Sequence, residues 1–167
     1  MIQHTFNWYN GEIYEAKFIL GFGFILMIIA ALFHYLGNTP ASKATVIPFL
    51  TLGIIIVLMS IYGIHSNLTK MQTLQAQYVK NPIQFQQDEI KRVEGFQYLY
   101  PMSIGISLVS FLVALGLLYF VKNIHWQSIA ITLIFFGASF AVIDYFSKER
   151  ASVYYEKLVT KIDDGRE

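Results

Sequence analysis

The stretch Phe18–Leu36, FILGFGFILMIIAALFHYL, contains no Asp, Glu, Lys or Arg. About 20 consecutive apolar residues, rising ~1.5 Å each as a helix, cross the ~30 Å hydrocarbon core of a bilayer. Three more stretches meet the same test: Thr45–Ile64 (TVIPFLTLGIIIVLMSIYGI), Met102–Val121 (MSIGISLVSFLVALGLLYFV) and Trp126–Phe146 (WQSIAITLIFFGASFAVIDYF). None is charged in its middle. All are too long for barrel strands, and lipid offers no partner for a backbone amide, so each is expected to be helical. The fold class that follows is all-α: an integral membrane four-helix bundle built from two transmembrane hairpins, forming a single membrane domain over residues 1–167.

Composition agrees. Of 167 residues, 55% are hydrophobic, 16% aromatic and only 14% charged, whereas soluble domains carry about 25% charge. Mean hydropathy is +0.49. A net charge of +1 provides no field for nucleic acid, and no such partner is expected. Cysteine is absent, which excludes disulfides, thiolate metal sites and cysteine nucleophiles. The chain holds no phosphate-cradling glycine loop, HExxH pair or nucleophile elbow. Neither catalysis nor a cofactor is therefore expected.

The leader MIQHTFNWYNGEIYEAK lacks an early basic cluster, and no small-residue cleavage site follows the first apolar run, so that run reads as a retained span. Lys and Arg gather on one side. Lys17, Lys70, Lys80, Lys91, Arg92, Lys148, Arg150, Lys157, Lys161 and Arg166 flank the spans on the side of both termini, against Lys43 and Lys122 in the short connections. The positive-inside bias makes the termini and the long middle segment cytoplasmic, in a multi-pass protein of a bacterial inner membrane.

The segments outside the spans read as amphipathic cytoplasmic helices over about 66–80, 82–99 and 148–162. No Gly or Pro interrupts Ser66–Asn81, so the second span continues outward. Asn81-Pro82-Ile83-Gln84 reads as a break and restart: Asn81 is the N-cap, Pro82 suits the first helical position, and Gln84 suits a capping box. The restarted helix directs Ile83, Ile90, Val93 and Phe96 to a partner surface, with Asp88 one turn before Arg92 as an ion pair. Tyr154, Leu158 and Ile162 repeat the pattern in the tail. The order of hairpin, helix, hairpin and helix implies a parallel two-fold pseudo-repeat; Ser66 and Lys80 align with Ser147 and Lys161 at one offset. This layout resembles that of membrane-embedded bacterial immunity proteins, which block a toxin's insertion or pore. The resemblance is one of topology and assigns no residues.

Two groups of residues stand out. Ser103, Ser107, Ser110 and Ala114 fall on one face of the third span, the kind of narrow face through which helices associate in lipid, within the monomer or between subunits. Gly23 with Ala30, Gly53 with Ser60 and Gly137 with Ala141 supply similar faces. Asp144 is the one acid in a hydrophobic stretch. It lies ~27 Å along the helix from Trp126, at the inner boundary, where Lys148 one turn later is its expected partner and Glu94 its expected neighbour. Glu12 and Glu15 are further candidates to gather there with Arg150. His4, His34, His65 and His125 lie at segment ends, where a wet interfacial role outweighs haem ligation.

The expected function is binding another membrane protein, or self-association, in contact with membrane lipid, as an accessory or immunity-type protein without catalysis. The alternatives are a homo-oligomeric channel or transporter with the serine face on its axis, and a haem- or quinone-binding redox protein.

Overall fold

The computed structural model describes residues 1–163, with side chains through Thr160; Ile162 and the polar ending lie outside the described side chains. It is a bundle of five helices: α1 (Ile2–Tyr35), α2 (Pro40–Lys80), α3 (Pro82–Phe96), α4 (Leu99–Phe120) and α5 (Ile124–Asp163). Four stretches are long and apolar enough to cross a membrane: α1, α2, α3 and α4 taken together, and α5. The chain is a multi-pass membrane protein.

The N-terminal arm is helical. Thr5, Trp8, Tyr9 and Ile13 recur at helical spacing and are buried, so α1 runs unbroken from the arm into the span. The α1–α2 turn is closed by a reciprocal cap in which Ser42 N donates to Thr39 Oγ1 (3.2 Å) and Thr39 N to Ser42 Oγ (3.3 Å). At the α2–α3 break, Gln84 N donates to Asn81 Oδ1 (3.1 Å) and Pro82 opens the helix. The return half of the expected box is not made, because the Gln84 side chain donates to Asp88 instead (2.8 Å). α4 restarts with Pro101 in its first turn, where the missing N–H has no helical partner to lose.

α1 and α2 form one hairpin, α4 and α5 the other, and α5 is the hub, touching α1, α2, α3 and α4. Glycine sets the closest approach of the first hairpin. A Cβ on Gly53 meets Met27 Cγ at 2.7 Å and the Gly23 carbonyl at 2.9 Å, so α1 and α2 cross backbone to backbone. In the second hairpin a Cβ on Gly137 meets the Ser107 carbonyl at 3.1 Å. Thr45 Oγ1 donates to Ser128 Oγ (3.2 Å), joining the hairpins through α2 and α5.

The halves correspond in a single sequence register. It pairs the α2 and α5 starts, Pro40 with Ile124, and their caps, Thr39 with Asn123. It also pairs the crossing glycines, Gly53 with Gly137, and the buried Ala30 with Ala114, Leu74 with Leu158 and Tyr9 with Val93. Gly23 and Ser107, whose carbonyls face those glycines, correspond as well. The pseudo-repeat thus runs through the helix-crossing points. The Ser66–Ser147 offset is not its register, because it pairs Gly53 with Ile134 and Gly23 with Ile104.

At one end of the bundle, the α1 arm, the end of α2, α3 and the end of α5 enclose a second core of Trp8, Tyr9, Leu74, Phe85, Val93, Tyr154 and Leu158. Ile83, expected on the packing stripe, is 71% exposed. The buried stripe of α3 is Phe85, Glu89 and Val93, one turn apart.

Candidate functional site

Three polar constellations lie at or below the boundary of the spans. The deepest in the terminal-end core centres on Glu89, which is only 7% exposed. Arg92 Nε donates to Glu89 Oε1 (3.1 Å) and Arg92 Nη2 to Glu89 Oε2 (2.6 Å). The Tyr154 hydroxyl donates to Glu89 Oε2 (2.8 Å) and lies 2.9 Å from Thr5 Oγ1. The Arg92 guanidinium sits over the rings of Trp8 (4.5 Å), Tyr9 (5.0 Å) and Phe96 (5.8 Å). Such a bidentate pair, with its remaining face on aromatic rings, satisfies the buried carboxylate and the half-buried guanidinium. Burial works against the Arg92 charge, but the Glu89 hydrogen bonds outweigh it and hold its pKa above the ordinary value. Burial raises Tyr9 to about 12, against the lowering effect of Arg92 and with the help of Glu89. Burial and the Glu89 charge also push Tyr154 upward.

The expected Asp88–Arg92 pair does not form. Spacing favours it, but Arg92 reaches the aromatic rings only from the inner face of α3, where Glu89 is its neighbour and Asp88 is not.

The second constellation is a clasp. Arg150 of α5 pairs with Glu12 (2.9 Å) and with Glu15 of α1, fixing the hub helix to the N-terminal helix. Gly11 makes room, since a Cβ there meets Arg150 Cδ at 3.2 Å. Glu12 and Glu15 gather with Arg150 as the sequence allowed, but Glu94 does not join them. It accepts instead from the exposed Tyr155 hydroxyl (2.8 Å).

The third is a cleft of about 690 Å³ beside the α4–α5 seam. Ile104, Leu108 and Phe111 form its apolar wall, and Tyr100, Asp144, Lys148 and Glu149 its polar end. The expected Asp144–Lys148 pair is not made. Lys148 is exposed, with no ion pair among the described residues, and Asp144 Oδ2 is buried without a hydrogen-bond partner. Ala141, expected to pack with Gly137, is exposed and lines this cleft instead.

The serine face lies inside the monomer. Ser103, Ser107 and Ser110 are buried and Ala114 is fully enclosed; Ser107 Oγ donates to the Gly137 carbonyl of α5 (2.7 Å), and Ser110 Oγ to Ile106 of its own helix (2.8 Å). All four histidines are exposed. Glu89 was the residue sequence reasoning missed. Its signal was a lone acid at the centre of the Phe85, Glu89 and Val93 stripe, where an unpaired charge would be expensive.

No protein-family model, curated protein or solved structure matches the chain.

Proposed function

We propose that this chain is a non-catalytic protein of a bacterial inner membrane, with cytoplasmic termini, that binds another membrane protein through helix α4 in the manner of an accessory or immunity-type protein. One observation carries this reading. In the repeat register α1 and α4 are equivalent, yet α1 is packed between α2 and α5 whereas α4 is packed on α5 and on no other helix to comparable extent. Ile19, Phe22 and Ile29 of α1 pack against its core. Val113, at the place on α4 that Ile29 holds on α1, is 47% exposed. The position that a second neighbour takes beside α1 is open beside α4, and a helix from another protein fits it through close apolar packing. The burial of the serine face in the α4–α5 seam favours this reading over a channel lined by those serines.

The test is a photo-crosslinking amino acid at Val113, with Ile28 of α1 (58% exposed) as the control on an equally apolar but fully neighboured helix. Irradiation of native membranes is expected to give a discrete protein adduct from Val113 and none from Ile28. The absence of a protein adduct at Val113, or the same adduct from both positions, contradicts the proposal.

A further inference from the structure

The α4–α5 cleft has the build of an amphiphile site. Its volume of about 690 Å³ lies in the ~300–1,000 Å³ range of ligand pockets. Its long axis follows α5: Ala141 and Phe111 lie at the apolar end, and Lys148 and Ser152 at the polar one. From Ala141 to Lys148 the helix rises ~10 Å, enough for a headgroup and the upper part of an acyl chain, with the rest of the chain lying in the bilayer.

The polar end carries one unmet polar group and one free charge of opposite sign. No described residue donates to the Asp144 carboxylate: Oδ2 is enclosed, and Oδ1 is the oxygen left accessible at the cleft, while Lys148 beside it has no anionic partner. A carboxylate at such a boundary requires an N–H or O–H donor, and the exposed Lys148 ammonium is available to an anion. The two groups sit one turn apart on α5 and do not satisfy each other. Glu149 adds a second negative charge to the same end, which disfavours a ligand that is anionic overall.

We propose that the cleft binds a zwitterionic glycerophospholipid with a primary-amine headgroup: its phosphate beside Lys148, its ammonium donating to Asp144, and an acyl chain along Ile104, Leu108 and Phe111. A choline headgroup has the same charges but no N–H, so it leaves Asp144 unsatisfied. A glycerol headgroup has donors but leaves the lipid with a net negative charge facing Asp144 and Glu149. This site lies on a different side of α4 chemistry from Val113, and does not depend on the protein-binding reading.

The full chain, purified and exposed to an equal mixture of phosphatidylethanolamine, phosphatidylcholine and phosphatidylglycerol, is examined by native mass spectrometry. Phosphatidylethanolamine is expected to be retained over phosphatidylcholine by about tenfold, the worth of one charge-assisted hydrogen bond. Asp144→Asn should erase that preference. Ala141→Trp, which fills the cleft, should lower retention of all three lipids. Thermal unfolding followed by circular dichroism reports that each variant is folded. Equal retention of phosphatidylcholine, preferential retention of phosphatidylglycerol, or an unchanged preference in a folded Asp144→Asn protein would overturn the proposal.

Discussion

Glu89→Ala is expected to lower the unfolding free energy by about 3–5 kcal/mol, the cost of removing one partner from a buried ion pair. The loss leaves Arg92 charged beneath the α1 arm with no carboxylate, and the Tyr154 hydroxyl with Thr5 Oγ1 (2.9 Å) as its one remaining acceptor. Chemical or thermal unfolding in a fixed detergent, followed by circular dichroism, reads the change. The double change Glu89→Leu with Arg92→Leu removes both charges and should be much milder, since apolar replacement of a whole buried pair is often neutral. If Glu89→Ala proves no more damaging than the double change, the network does not hold the terminal-end core together.

Gly53→Val is the second large effect, expected at about 1–3 kcal/mol or more from overpacking. The obstruction is the Gly23 carbonyl 2.9 Å from the added Cβ, and a backbone oxygen cannot swing aside as a side chain does. Met27 Cγ, at 2.7 Å, can turn away and relieves only part of the clash. Gly63 is the control: a Cβ there meets nothing within 4 Å, so Gly63→Ala should be neutral or gain the ~1 kcal/mol of better helix propensity. Thermal stability of the two variants side by side decides this. Equal behaviour would mean that α1 and α2 do not meet at these glycines.

The spans were legible in the sequence because lipid enforces a simple rule. A run of apolar residues without charge, long enough to cross, has to be helical, and the four runs supply the helices of both hairpins. Local caps were partly legible for a similar reason: Asn81 and Pro82 act within a few residues of themselves. Partner choice was not legible. Arg92 with Asp88 and Lys148 with Asp144 both satisfy the one-turn spacing rule, and neither pair exists. For Arg92 the rule was overridden by three aromatic rings, two of them from the α1 arm, a contact between residues far apart in the chain. For Lys148, exposure lets the long side chain remain in solvent instead of paying to desolvate beside a carboxylate.

The repeat shows the same division. Identity between the halves is sparse: the register keeps Gly53 with Gly137, Ala30 with Ala114 and Leu74 with Leu158. The structure selects pairs that do the same job with different residues: Gly23 and Ser107 each bring a carbonyl to the opposing glycine, and Thr5 and Glu89 both meet the Tyr154 hydroxyl. What the halves share is where backbone approaches backbone, and small residues of several kinds meet that need. The helical face of the N-terminal arm, Thr5, Trp8, Tyr9 and Ile13, has meaning only once α3 and α5 are placed against it.

Sidedness tests the whole arrangement most directly, and the absence of cysteine makes the measurement clean. Single cysteines at Gln3, Gln87 and Glu156 mark the terminal-end core, and single cysteines at Asn38 and Lys122 mark the two short turns. A membrane-impermeant thiol reagent applied to sealed vesicles of known orientation is expected to label the first three from one side and the last two from the other. Labelling of Gln3 and Glu156 from opposite sides would contradict the architecture and every reading built on it.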